Sequence, residues 1–446
     1  MEKLISVERW QEVEPRWSTK PAVLGGLQPN VMAVAACHSL TWLLVSNGVG
    51  LLLGALLLFP RLNSWLGEWT YGRWVPLHLN HNLYGWCSLP LVGWLFHAYQ
   101  VDRLPAWRWG RSVLWGWSTA LVVGSISWLN GQSSGKLFLD WQGYPRLLLV
   151  MAMLLLWVVL AVAFWRHGDA GPRWSRARRS ASAAGLLALL LVPFSLYWAT
   201  QPNVYPPVNP DTGGPTGASL LESTLGIILI LLVLPLGLGR EVRERQRAIA
   251  YAWVLFAAGA IVSFALGRGN SSHHKPSEIL GLASLLAWVP ILPAYFNAFD
   301  WPLVTKCWRN ACLLWWGLLV VSAWMMFLPG FLEHCKFTDA LVGHSHMAMA
   351  GFVSSLNILG LMTLLGEDAR TFSSRWAFFA WQFGTLGYVG IMVWAGWLEG
   401  SHSDFTIIPG GARDSLYCLR MVCGGIMTAA ATHWWLQLRK VRRGTS

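Results

Sequence analysis

An all-α, polytopic membrane bundle of about twelve transmembrane helices is what this sequence predicts, and three observations predict it. Hydrophobic residues fill 54% of the 446 positions. Charged residues fill only 12%, about half the share of an ordinary soluble domain. Apolar runs of roughly 20 residues recur from one end to the other, each long enough to cross a bilayer. With a mean hydropathy of +0.43, the chain fits neither a disordered protein, nor a coiled coil, nor a soluble globular enzyme.

The segments fall in order at 31–59, 76–100, 112–133, 145–166, 181–199, 219–239, 248–267, 276–299, 311–332, 344–366, 376–398 and 414–436. The longest polar connections are the basic stretch 167–180 and the Pro/Gly stretch 200–218, which contains NPDTGGPTG and reads as turns. No internal repeat is visible, which disfavours an inverted-repeat transporter. The expected organisation is an N-terminal cytoplasmic segment over 1–30, a membrane domain over 31–438 and a basic cytoplasmic tail over 439–446. The first 25 residues mix Lys, Arg and Glu without an apolar core, so a cleavable signal peptide is not expected and the first membrane segment serves as insertion signal.

Net charge is +12, and topology accounts for it without a nucleic-acid partner. With the N-terminus inside, 24 of the 33 Lys and Arg lie in cytoplasmic connections. The positive-inside rule therefore places both termini in the cytoplasm, with the chain in the cytoplasmic (inner) membrane. The 31 Trp include several at segment ends, among them Trp65, Trp69, Trp74, Trp301, Trp308, Trp434 and Trp435, where rings are expected to anchor at the interface. The seven Cys form neither C-x-x-C nor C-x-x-C-H, so covalent c-type haem and thiolate zinc sites are unsupported.

Histidines carry the chemical signal. His78, His81, His344, His346, His273 and His274 gather toward the outer face, where polar groups near the membrane interior point to function. His38, His97, His167 and His433 lie toward the other face and read as locally satisfied. His344 and His346 are two apart, so on a helix they project about 200° from each other. That spacing suits two haems on opposite sides of one helix better than one small metal ion. Two imidazoles satisfied by ordinary polar neighbours is an equally admissible reading of the spacing alone.

The stretch HCKFTDALVGHSHMAMAGF from His334 to Phe352, with its T-D-x-x-x-G-H-x-H core, resembles the tenth helix of the catalytic subunit I of cbb-type heme–copper oxidases. PLHLN, Pro76 to Asn80, is similar to the start of that family's second helix, and VWAGWLEG, Val393 to Gly400, to its eleventh. Nitric oxide reductases share the layout. The resemblance implies a heme–copper oxidase subunit I-like fold. It further implies that His78 and His346 hold a low-spin haem b and that His344 holds a high-spin haem, for one or two haems in all. His81 is the less favoured ligand. Arg268 and Arg420 are candidates for the haem propionates, since Arg suits bidentate carboxylate binding.

The chain departs from the family at the metal beside the high-spin haem. No His occurs between His167 and His273, so the sixth segment offers no imidazole; Glu222 stands near its start. His273 and His274 precede Lys275-Pro276 and read as loop. Copper is therefore not expected. No Asp or Glu falls in the inner half of any segment, which removes the usual carboxylates of a proton route. The expected function is a membrane haem b-binding electron-transfer subunit of a respiratory or redox complex. Its expected partners are other membrane subunits, a cytochrome c or another haem protein as electron donor, and the lipid bilayer. Two alternatives stay open: an active terminal oxidase or nitric oxide reductase with unusual ligands (His273, His274, Glu222), and a haem-free structural subunit.

Overall fold

The computed structural model describes residues 31–103, 107–170, 174–204, 208, 221–266, 275–402, 404–405 and 410–444. Among the described residues, every apolar segment read from the sequence is helical over most of its length. In chain order the helices are α1 (Val31–Leu58), α2 (Arg61–Trp65), α3 (Tyr71–Asn80), α4 (Leu89–Ala98), α5 (Trp107–Leu129), α6 (Gly143–Ala170), α7 (Arg176–Ala199), α8 (Leu221–Leu238), α9 (Gln246–Leu266), α10 (Pro276–Ala283), α11 (Trp288–Phe296), α12 (Lys306–Met326), α13 (Phe331–Cys335), α14 (Asp339–His346), α15 (Ser354–Leu364), α16 (Arg375–Ser401) and α17 (Ala412–Gly444). Among the described residues, ten spans are long and apolar enough to cross a membrane. The other two segments are α8 and the interrupted helix α3–α4.

Two of these helices are interrupted. A π-helical stretch, His81–Cys87, joins α3 to α4, and a second, Met347–Val353, joins α14 to α15. Such wide turns free main-chain carbonyls, and they recur at functional sites. Both are satisfied in the same way, by a serine just past the stretch. Ser88 Oγ donates to Leu83 O at 2.8 Å, and Ser354 Oγ donates to Met349 O at 2.8 Å. The two stretches are also bonded to each other. Trp86 Nε1 donates to Ser354 Oγ at 2.7 Å, and Asn357 Nδ2 donates to Trp86 O at 3.0 Å. These groups are buried, so each bond avoids the cost of about 1–3 kcal/mol for an unpaired buried polar group. They lock the α3–α4 helix to the α14–α15 helix.

Around this lock α1 packs on α3, α4, α5 and α17, while α16 lies between α14 and α17. Glycines set the closest approach. A Cβ on Gly396 would overlap the Ala340 amide, and one on Gly400 would overlap His334 O. The G-x-x-x-G spacing on α16 thus lets α14, at Gly396, and α13, at Gly400, come into backbone contact, as small residues do between membrane helices. Two-residue strands, β1 (Arg240–Glu241) and β2 (Phe299–Asp300), pair antiparallel with Arg240 opposite Asp300 and tie the end of α8 to the end of α11.

Three sequence expectations are corrected. Trp301, Trp308 and Trp434 are core residues rather than interfacial anchors. Helices α12, α16 and α17 converge at Trp308 and Trp434, whose rings are 5.6 Å apart, with Trp308 Nε1 donating to Phe372 O, while Trp301 stacks on Phe296 of α11. Trp65, by contrast, is 83% exposed, as an anchor should be. The tenth membrane helix begins at Asp339, not 344, because Thr338 caps it by accepting from Ala340 N at 3.2 Å. The last helix runs on to Gly444 through the basic tail, with Arg439 stacked 3.8 Å above the Trp435 ring.

Candidate functional site

His78 sits near the end of α3, three residues before one π-helical stretch, and His346 at the end of α14, immediately before the other. The bond network above brings them together. Their ring centroids are 6.0 Å apart and their planes differ by 22°. That is too far for van der Waals stacking, which puts carbon atoms about 3.5–4.0 Å apart. It is close to the span of two imidazole–metal bonds of about 2.0 Å each with a ring radius beyond each.

The hydrogen bonds orient both rings for that use. His78 Nδ1 meets Ser46 O at 2.8 Å, and His346 Nδ1 meets Val342 O at 2.9 Å. A carbonyl can only accept, so both Nδ1 atoms carry the proton and both Nε2 atoms carry a lone pair. A second-shell bond of this kind fixes the tautomer and raises the basicity of a metal-binding imidazole. Among the described residues, neither Nε2 has a hydrogen-bond partner.

Gly50 makes room for His78. A Cβ there would lie 2.8 Å from His78 Cε1 and 3.2 Å from its Nδ1, so the ring lies directly against the α1 backbone. Ser46 Oγ, one turn earlier on α1, adds a bond to His78 O at 3.1 Å. On the opposite wall the Tyr388 ring of α16 stacks on His346, with centroids 4.4 Å apart and planes 29° from parallel.

Both histidines line a cavity of 720 Å³ between α1, α3, α14, α16 and α17. That lies within the roughly 300–1,000 Å³ range of small-molecule and cofactor pockets. Its walls are apolar over Leu51, Leu57, Val75, Leu79, Met421 and Met427. Its polar groups collect where α3, α14 and α17 begin and α16 ends: Tyr71, Asp339, Glu399, Arg413, Tyr417 and Arg420. Arg420 is 6% exposed. Its guanidinium stands 3.5 Å from Asp339 Oδ1 and 4.8 Å over the Tyr417 ring. Glu399 accepts from Asp339 N at 2.5 Å, which the close α14–α16 crossing at Gly396 permits. The loop over this end is stapled, with Lys136 Nζ donating to Ala199 O and Gln201 O. In the same loop Ser133 Oγ donates to Asp140 Oδ1 at 2.8 Å.

The remaining sequence candidates separate from this pair. His344 projects to the other side of α14, with Nδ1 3.2 Å from Ser322 Oγ on α12. His81 turns toward α5, its Nε2 2.7 Å from Ser125 Oγ and its ring packed on Trp42. Arg268, His273 and His274 lie outside the described residues, as does the side chain of Glu222. Among the described residues, no group of three or more His, Cys, Asp or Glu is arranged to hold a metal ion. Pattern reading missed Ser46, Gly50, Tyr388, Asp339 and Glu399. Gly50 and Gly54, one turn apart on α1, were the available signal for a close contact.

No family model matches the chain. Its likeness to known proteins is partial. Over 133 residues it is 29% identical to the cbb3-type cytochrome c oxidase subunit CcoN1 of Stutzerimonas stutzeri, covering 29% of this chain and 27% of that protein. Over 131 residues it is 30% identical to cytochrome c oxidase subunit 1 of Rhodobacter capsulatus, covering 28% of this chain and 24% of that protein. The matched stretch thus spans about a quarter of the length of each relative. The chain is a multi-pass membrane protein with a distant likeness to cytochrome c oxidase subunit I, and its helical bundle is of that type.

Proposed function

We propose that the chain is a membrane haem b-binding electron-transfer subunit of a respiratory or redox complex, without a complete copper site. The observation that carries this reading is the His78–His346 pair: two lone-pair nitrogens across a cavity, each ring anchored through Nδ1 to a backbone carbonyl. The cavity fits the group, because haem b is a flat apolar macrocycle with two carboxylates, and this cavity is apolar along its walls and carries two guanidiniums, Arg413 and Arg420, beside Asp339 and Glu399 at one end. When bound, the haem supplies one-electron transfer.

The chain's own residues then have defined tasks. His78 and His346 would hold the haem through Nε2. Arg420 and Arg413 would hold its carboxylates, a role guanidinium geometry suits, with Asp339 and Tyr417 fixing Arg420. Arg268 is a further candidate for this role from sequence. His344, on the opposite face of α14, is the ligand for a second, high-spin haem. The positive-inside pattern favours the charged end of the cavity at the outer face of the inner membrane and both termini in the cytoplasm. A haem protein such as a cytochrome c is the proposed donor, and other membrane subunits are the proposed partners.

A reduced-minus-oxidised spectrum of the purified chain, with haem, copper and non-haem iron quantified, tests the reading. A b-type spectrum without stoichiometric copper supports it. Stoichiometric copper or non-haem iron beside haem would favour a working oxidase or nitric oxide reductase, and absent haem bands would favour a structural subunit. His78→Ala and His346→Ala should each abolish the low-spin signal. Carbon monoxide binding to the reduced protein, lost in His344→Ala, reports the second haem.

A further inference from the structure

The two facing imidazoles get their orientations from different devices. His78 is held by α1: Ser46 supplies the carbonyl at 2.8 Å, and Gly50 leaves room for the ring close against the helix. His346 has the Val342 carbonyl, which lies one turn back on its own helix. One bond to its own helix fixes which nitrogen carries the proton but leaves the ring free to swing about that bond. The second restraint comes from another helix. Tyr388 covers one face of the imidazole at 4.4 Å and 29°. The Arg420 guanidinium lies 6.0 Å from the Tyr388 ring and is itself held by Asp339. The plane of His346 is thus tied, through Tyr388, to the ion pair at the mouth of the cavity.

We propose that Tyr388 is a positioning residue that sets the plane of His346 and keeps it near parallel to that of His78, using its ring and not its hydroxyl. The inference rests on the haem reading above. With both imidazoles held to one iron, the angle between their planes would matter, because each would interact with the iron through its own π system. Parallel planes act on the same iron orbital, separate it from its partner and give a rhombic low-spin signal with three resolved g values. Crossed planes leave the two orbitals nearly equal in energy and give one large, broad g value. A 22° angle belongs to the first kind.

The test uses the full chain purified with its haem and reads the oxidised low-spin EPR spectrum together with the midpoint potential. Tyr388→Phe keeps the ring and should leave both readouts parental. Tyr388→Leu removes the stack and should move the largest g value upward, broaden it and shift the midpoint. Loss of the low-spin haem from a correctly inserted Tyr388→Leu protein, with Tyr388→Phe intact, supports the same role. Unchanged g values and potential in Tyr388→Leu overturn the proposal. So does a Tyr388→Phe change as large as that of Tyr388→Leu, which would assign the role to the hydroxyl. His346→Ala separates the two failures: a low-spin signal that survives it refutes the ligand assignment, whereas one that His346→Ala abolishes and Tyr388→Leu leaves untouched refutes only the positioning role.

Discussion

Replacing Gly50 with Ala, and Gly48 with Ala beside it, isolates the cradle of His78. Both glycines are interior to α1, so each substitution brings a similar gain in helix propensity, up to about 1 kcal/mol. They differ in what the new methyl meets. At Gly48 nothing lies within 4 Å, whereas at Gly50 the methyl would stand 2.8 Å from His78 Cε1. Ordinary carbon–carbon contact begins at about 3.5 Å, so the ring must retreat from α1 by about 0.7 Å. Ser46 is on the same helix, so the retreat also stretches the 2.8 Å bond from His78 Nδ1 to Ser46 O. At about 3.5 Å that bond no longer holds. Overpacking of this kind costs about 1–3 kcal/mol, and loss of a second-shell bond typically costs about 10–100-fold in metal affinity. Gly50→Ala should therefore lose low-spin haem or bind it at least about tenfold more weakly, while Gly48→Ala keeps full occupancy and melts no lower than the parent. Haem-to-protein ratio, haem titration of the apo-protein and thermal unfolding in detergent measure this. Equal haem content and affinity in the two variants would refute the contact between Gly50 and His78 as the reason for the glycine.

Three further outcomes follow from the same geometry. His81→Gln should keep the low-spin spectrum, since His81 bonds Ser125 on α5 and does not face the cavity; a lost signal in the reduced-minus-oxidised spectrum would move the ligand from His78 to His81. Gly396→Ala should lower the unfolding temperature more than any other single methyl addition on α16, because the new Cβ would collide with the Ala340 backbone, which has no flexible side chain to yield. Burial of the Asp140 carboxyl in the 130–142 loop raises its pKa, against hydrogen bonds from Ser133 and Ser134 that lower it. A carboxyl with a raised folded pKa contributes its stability at low pH and loses it as pH rises through that value. Asp140→Asn should therefore be at least as stable as the parent at neutral pH, with the advantage shrinking on acidification; an advantage that grows in acid would contradict the sign.

The twelve segments were legible because a bilayer imposes one dominant demand, about 20 apolar residues for each crossing, and composition alone reports whether it is met. Their interruptions were not legible. Nothing in HNLYGWC or MAMAGFV distinguishes a π-helical stretch from an α-helical one; Ser88 and Ser354, which stabilise these stretches, look like ordinary small residues of membrane helices. The buried Trp308 and Trp434 were misplaced for a related reason. Their positions at segment ends fit an interface, and only the convergence of α12, α16 and α17 makes those ends interior. For the candidate site, His78 and His346 were singled out by the resemblance of PLHLN and of the T-D-x-x-x-G-H-x-H stretch, and the structure brings their rings together. Their supports came from residues 46, 50, 342 and 388. Three of those four belong to other helices; the Gly50/Gly54 spacing on α1 signals a close contact but not that His78 makes it.

The identity of these supports bears on how the site tolerates change. Both histidines are anchored to main-chain carbonyls, which no side-chain substitution at Ser46 or Val342 removes. Ser46→Ala takes away only the longer Oγ contacts and leaves the 2.8 Å carbonyl bond in place. Sensitivity is thereby transferred from the groups that make the bonds to the groups that keep the backbones close. Gly50 keeps α1 against His78, Gly396 keeps α16 against α14, and the Trp86–Ser354–Asn357 set holds the two π-helical stretches together. Two of these three controls are glycines, whose role is the absence of an atom, and the third lies more than a helical turn from either histidine. A site built this way is expected to be robust to substitution within its hydrogen-bonded second shell and fragile at small or remote positions, the reverse of a site whose imidazoles are oriented by carboxylate side chains.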